Sequence, residues 1–202
     1  MNEEIKENKN NEDKKDKKRA IITWVATILG CLIVAKLFTT FVIRSVEVDG
    51  YSMSTTLSDG DKALTDALFY KFSGIDRFDI VIVKKKSGQL KGQEIVKRVI
   101  ALPGETFEYK DGVLYINDEV VEEDFIDDVV KGLTPNMSRR TLADDEYIIL
   151  GDNRDNSTDS TDFGAIKKDE IKGKGLLRFM VCVKKEGNQC TKRKFIWPSS
   201  VK

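Results

Sequence analysis

The sequence predicts a mainly β protein, with an N-terminal transmembrane helix followed by an antiparallel β-sheet domain that carries a small inserted β subdomain. Three features lead there: one long apolar run near the N-terminus, many short β-branched segments cut by Gly, Pro, Asn and Asp beyond it, and few long stretches of helical periodicity. The 159 residues beyond the tail and the apolar run are enough for one core of ordinary size. With 34 basic and 34 acidic residues the formal charge is zero, which supplies no basic field for nucleic acid.

Residues 1–19 are dense in lysine, glutamate and aspartate and too poor in apolar side chains to offset the entropy of ordering, so a disordered tail is expected. Residues 20–43 hold a single charge, Lys36, and as a helix they span roughly 36 Å against a hydrocarbon core of about 30 Å. Lys36 is close enough to the Arg44 end to snorkel toward the outer headgroups, and Trp24 sits where an inner interface falls. Lys14, Lys15, Lys17, Lys18 and Arg19 precede the span while only Arg44 follows closely. This bias predicts a single-pass protein of the cell membrane whose tail is cytoplasmic and whose remaining chain faces outward. A cleaved secretory signal also begins with a basic and then an apolar region, but Phe41-Val42-Ile43-Arg44-Ser45 is bulky and offers no Ala-x-Ala site, so a retained anchor in the lipid bilayer is favoured.

Beyond the anchor, strands are expected over Val42 to Asp49, Asp79 to Val83 and Glu94 to Ala101, with Lys84 to Gly88 as a solvated turn between the last two. A short helix is expected near Ala63 to Phe72. Leu102-Pro103-Gly104-Glu105 ends a strand, because proline donates no ladder hydrogen bond. Val113 to Val121 reads as a hairpin whose Asn117-Asp118 tip tolerates positive φ. Residues 122–145 are acidic and loop-like, and 107–141 read as an insert, leaving 44–106 and 142–202 as the main β domain. Further strands are expected at Glu146 to Leu150, Leu176 to Val183 and Phe195 to Trp197. Cys31 packs within the span. Cys182 and Cys190 flank a hairpin loop at Lys184 to Gln189, where a disulfide and two free thiols are both open.

The chain contains no histidine. If Ser52, just beyond the span, is a nucleophile, no Ser-His-Asp relay can activate it, and a lysine made neutral by burial is the main alternative base. Lys97 lies in the apolar run Ile95-Val96-Lys97-Arg98-Val99-Ile100. Alternation along a strand puts Lys97 and Arg98 on opposite faces, so one of them enters apolar surroundings unless both sit at a sheet margin and snorkel. Gly151 to Ser160 is rich in small hydrogen-bonding side chains and suits a loop knitted together by side-chain to backbone bonds. It is a poor calcium loop, with Arg154 at the third ligand position and no glycine at the sixth.

Four stretches, in this order, resemble the bacterial, single-anchor type I signal peptidases: Ser52 to Leu57, Asp76 to Val81, Val96 to Glu105 and Gly151 to Ser160. The resemblance implies a membrane-bound serine endopeptidase that removes signal peptides from secretory preproteins, cutting after small residues through an acyl-enzyme, with no cofactor and no metal. It implies Ser52 as nucleophile, Lys97 as general base, Ser157 orienting the lysine amine and Asp159 bracing the closing loop. It further implies an extended substrate beside Val46 to Asp49, with Val48, Met53, Leu57, Ile95 and Val96 lining shallow pockets. Two departures stand out: Thr55 replaces a usual proline, and Thr161 replaces an arginine expected to pair with Asp159. They leave a catalytically weak or inactive membrane-anchored relative, acting as a binding or assembly module, as the alternative.

Overall fold

The computed structural model describes residues 2–186 and 189–201, with the backbone alone at 2–16, 40, 176, 186 and 189. It divides into two compact units, Met1–Val42 and Ile43–Lys202.

The first unit is one helix, α1 (Asn2–Phe41). Within it Lys17–Thr39 is long and apolar enough to cross a membrane, by length and composition. Its Ile, Leu, Val, Trp and Phe side chains are exposed all round, as suits a helix solvated by lipid. Thr23, Thr27 and Thr39 return their hydroxyls to the carbonyls of Arg19, Thr23 and Ala35 at 2.9, 2.9 and 3.0 Å, so these polar groups are satisfied within the helix. The helical backbone also runs back through the charged segment where disorder is expected. Lysine and glutamate are good helix formers, and adding residues to an existing helix avoids the nucleation cost.

The second unit holds two antiparallel sheets. The larger comprises β1 (Ile43–Glu47), β2 (Lys62–Asp66), β3 (Ile80–Lys84), β4 (Glu94–Ala101), β9 (Glu146–Leu150), β10 (Ile166–Lys167), β11 (Ile171–Glu186) and β12 (Gln189–Val201), in the order β1-β2-β11-β3-β4-β9-β10 with β12 on β11. The smaller, built between residues 106 and 141, comprises β5 (Thr106–Lys110), β6 (Val113–Ile116), β7 (Glu119–Val121) and β8 (Met137–Thr141), in the order β7-β6-β5-β8. Short helices are α2 (Tyr70–Ser73), α3 (Asp128–Gly132) and α4 (Ser160–Phe163).

Burial on both faces explains the unbroken apolar runs. In β3, Ile80 and Ile82 face a core with Val48, Met53, Leu57 and Ala63, while Val81 and Val83 face another with Val99, Tyr147 and Ile149. Ile100, Ile148 and Leu150 enter a third core with Phe107, Tyr109, Leu114 and Ile116 of the smaller sheet. The β6–β7 turn has φ of 52° at Asn117 and 70° at Asp118, matching its sequence.

Four expectations need correction. Residues 62–66 form a strand, not part of a helix, because pairing with β1 and β11 overrides the helix preference of Ala63 and Leu64; only Tyr70–Ser73 is helical. The acidic stretch contains α3, capped by Asp127, and the polar edge strand β8, whose exposed Ser138, Arg139 and Arg140 hide the usual alternation. Lys85 of the supposed solvated turn is buried, 3.4 Å from Glu170 and 4.2 Å from the Phe163 ring centre. At the last hairpin β11 and β12 extend past the expected strand ends to Glu186 and Gln189, and Cys182 is bonded to Cys190; the rest of the expected loop, Gly187 and Asn188, lies outside the described residues.

Candidate active site

β4 pairs with β3 from Glu94 to Arg98 and with β9 from Arg98 to Ala101, so Arg98 sits inside the sheet and Lys97 at the point where the β9 pairing begins. Both are buried, at 3% and 1% exposure, on opposite faces of the strand. The two charges are handled differently. Arg98 is neutralised by Asp152, Nε to Oδ1 at 2.8 Å and Nη2 to Oδ2 at 2.7 Å, donates to the Phe78 carbonyl at 2.9 Å and stacks on Phe125. The Lys97 amine instead donates to a hydroxyl, Ser157 Oγ, at 2.9 Å. Desolvation then dominates and brings its pKa down from 10.5 to about 8, against a partial upward pull from Asp159, Asp152 and Asp162.

The closing loop reaches Lys97 because Leu150 pairs with Arg98 in the β4–β9 register, which places Gly151 to Ser160 at the end of the strand bearing the lysine. Asp159 accepts from the Gly151 amide at 2.8 Å and from the Thr161 amide and hydroxyl at 3.1 and 2.9 Å. Thr161, where the resemblance expects an arginine, therefore still engages Asp159, by a hydrogen bond in place of an ion pair. Asp159 and Asp162 form a capping box at the start of α4, and Ser160 Oγ accepts from the Ile149 amide at 3.0 Å.

The same loop grips the Ser52 segment. The Asn153 amide donates to the Ser52 carbonyl and its side chain to the Tyr51 carbonyl, both at 3.0 Å, and the Thr56 hydroxyl donates to Asp152. Gly151 lies so close that a Cβ there would fall 2.1 Å from Ser157 Oγ and 2.5 Å from the Ser52 carbonyl oxygen, so only glycine lets the two segments meet. Beside Ser52 runs a groove of about 270 Å³ along β1 and the start of β4. Val48, Met53, Ile95 and Val96 line it, together with Ile82. Leu57 is not part of that lining; it packs in the core beside Met53 and Ile80 at 1% exposure.

Sequence reasoning brought forward Ser52, Lys97, Ser157 and Asp159, but gave no role to Arg98, Asp152, Asn153 or Thr56. An arginine beside a lysine in a buried strand does signal a required carboxylate partner. Its position 54 residues away was not legible.

The model of the family described as signal peptidase, peptidase S26, matches residues 21–180. Signal peptidase IB of Staphylococcus aureus (strain COL) is 30% identical over 177 residues, covering 80% of this chain and 91% of that protein. Signal peptidase I of Bacillus amyloliquefaciens is 32% identical over 173 residues, covering 82% and 91%. The crystal structure of a signal peptidase I from Enterococcus faecalis V583 aligns with a TM-score of 0.44 and 34% identity, over 50% of this chain and 95% of that one. The chain belongs to the signal peptidase family, peptidase S26. It is therefore a serine protease that removes signal peptides from preproteins, and its apolar N-terminal helix fits a membrane anchor.

Proposed function

We propose that this enzyme cuts secretory preproteins after small residues, in an Ala-x-Ala pattern, through an acyl-enzyme formed on Ser52 with Lys97 as general base. The observation that carries the reading is the buried Lys97 amine, held by a hydroxyl and brought down to about 8. An uncharged amine has a lone pair to accept the Ser52 proton as the hydroxyl attacks the scissile carbonyl. The developing oxyanion takes the Ser52 amide, and the ammonium of Lys97 returns its proton to the departing amine. Water then attacks the ester carbonyl as Lys97 takes its proton, and Lys97 returns that proton to Ser52 Oγ while the acyl group leaves as the carboxylic acid. Ser157 keeps the amine aimed, and Asp159 holds the loop that carries Ser157.

The substrate extends along β1, with its first and third side chains before the cut in the groove formed by Val48, Met53, Ile95 and Val96. Residues 44–106 and 142–202 serve as the catalytic part and 107–141 as an insert bracing the closing loop, since Arg154 of that loop is bound at Glu123, Tyr109 and Thr134. The anchor spans the bilayer once, with residues 1–19 cytoplasmic and the catalytic unit outside, where the Cys182–Cys190 bond is stable. The alternative of a weak relative rests on Thr55 and Thr161, and the hydrogen bond from Thr161 to Asp159 removes part of its ground.

The test is the pH dependence of kcat/KM on an Ala-x-Ala preprotein in detergent. As pH falls through about 8, Lys97 takes up a proton and ceases to be a base, so the rate should drop about tenfold per pH unit below that point. With no histidine in the chain, no imidazole can produce such a limb. A profile flat between pH 5 and 8 contradicts the mechanism.

A further inference from the structure

The Ser52 segment is held from two sides. On one side the closing loop grips the Ser52 carbonyl. On the other, the Gly50 amide, two residues ahead of Ser52, donates to Asp59 Oδ1 at 2.8 Å. Asp59 is only 8% exposed, and its second oxygen is paired with Lys185 of β11. Lys185 Nζ also lies 5.1 Å from the ring centre of Tyr51, the residue immediately before Ser52.

Lys185 comes from the end of the β11–β12 hairpin that the Cys182–Cys190 bond closes, and that bond abuts the Asp59 turn. A Cβ on Gly60, where φ is +84°, would meet Cys190 Cβ at 2.9 Å and Cys182 Cβ at 3.2 Å, so the turn and the disulfide are in direct contact. Asp61 accepts from the Cys182 amide at 3.0 Å, and Arg193 donates to the Gly60 carbonyl at 3.2 Å. The same turn holds Val48 of the groove, through Gly60 N to Val48 O at 2.7 Å and Val48 N to Asp61 O at 2.9 Å.

We infer that the disulfide-closed hairpin positions the nucleophile segment through Lys185 and Asp59, and that Lys185 keeps the buried carboxylate behind Gly50 electrically balanced where negative charge develops during cleavage. Asp59 and Lys185 are positioning residues; neither touches the reacting atoms. The inference rests on Ser52 as nucleophile with its own amide as oxyanion donor. An uncompensated Asp59 charge would oppose the oxyanion, and a loosened Gly50 would let the donor swing. The opposed shifts of the pair, with Asp59 lowered and Lys185 raised by their mutual hydrogen bond, agree with this pairing.

The test uses the full chain in detergent with an Ala-x-Ala preprotein. Lys185→Met should lower kcat about tenfold, with KM changed less than about twofold; this is milder than the 10²- to 10³-fold typical of deleting an oxyanion donor outright. Lys185→Arg should retain the rate, and adding Asp59→Asn to Lys185→Met should recover most of it, because the unbalanced charge is then gone. Dithiothreitol, which becomes its cyclic disulfide as Cys182 and Cys190 become thiols, should lower kcat of the unmutated enzyme several-fold. It should leave a Cys182→Ser/Cys190→Ser variant, already slow, unchanged. This arm needs no substitution in the enzyme that is reduced, so it holds even if Lys185→Met fails to fold. The inference is overturned if Lys185→Met keeps its kcat, if the loss lies in KM alone, if Asp59→Asn gives no recovery, or if verified reduction leaves kcat unchanged. Undiminished cleavage by Ser52→Ala would instead remove the nucleophile reading beneath it.

Discussion

Lys97→Ala and Ser52→Ala should each abolish cleavage of a preprotein, lowering kcat/KM by at least about 10³-fold, while far-UV circular dichroism and the thermal midpoint stay near those of the unmutated protein. The size follows from the roles proposed for them. A serine hydroxyl without a base is a weak nucleophile, and the chain has no histidine to substitute. The fold should survive Lys97→Ala because among the described residues the lysine is in no ion pair: its amine meets a hydroxyl, and burial outweighs the pull of Asp159, Asp152 and Asp162 on its charge. Lys97→Arg should be as inactive as the alanine variant, since a guanidinium stays protonated and cannot take the Ser52 proton. Combining Ser52→Ala with Lys97→Ala should cost little more than either alone, as for groups that act as one unit. Cleavage retained by either single variant would remove the Ser/Lys pairing.

The second large effect is on stability. Asp152→Ala removes both acceptors from a guanidinium that is 1% exposed, leaving Arg98 charged and unpaired between the sheet and Phe125. Breaking a buried pair on one side costs about 3–5 kcal/mol. At about 2–4 °C per kcal/mol for a domain of this size, the thermal midpoint should fall by about 6–20 °C. Activity should fall too, because Asp152 also receives the Thr56 hydroxyl from the segment that carries Ser52. Asp152→Asn keeps an acceptor and should lose less of both. A midpoint within about 2 °C of the unmutated value would show that Arg98 finds another partner.

The legible parts of the fold were those where burial alone shapes the sequence. β4 and β9 occupy the residues expected, Glu94–Ala101 and Glu146–Leu150, because buried strands read as apolar runs, interrupted in β4 by Lys97 and Arg98. β2 was missed because its alternation is carried by Ala63 and Thr65, small residues with a weak signal. β8 was missed because an edge strand can be nearly all polar.

The site divides along the same line. Ser52 and Lys97 were singled out because a histidine-free chain with a lysine in an apolar strand leaves few ways to activate a serine. Partners brought together only by tertiary contact were hidden. Arg98 with Asp152, Arg154 with Glu123, and Asp59 with Lys185 pair across 54, 31 and 126 residues, distances over which local pattern has no reach. Gly151 reads as part of a loop, and its place between Ser52 and Ser157 depends on two segments distant in sequence meeting.

The most direct measurement is a nuclear magnetic resonance titration of the Lys97 side-chain amine in the detergent-solubilised protein, assigned by comparison with Lys97→Met. The account predicts a midpoint near 8, with the resonance absent from that variant. A Lys97 amine that stays protonated up to its ordinary 10.5 would contradict it, since no group would then be free to take the serine's proton at neutral pH.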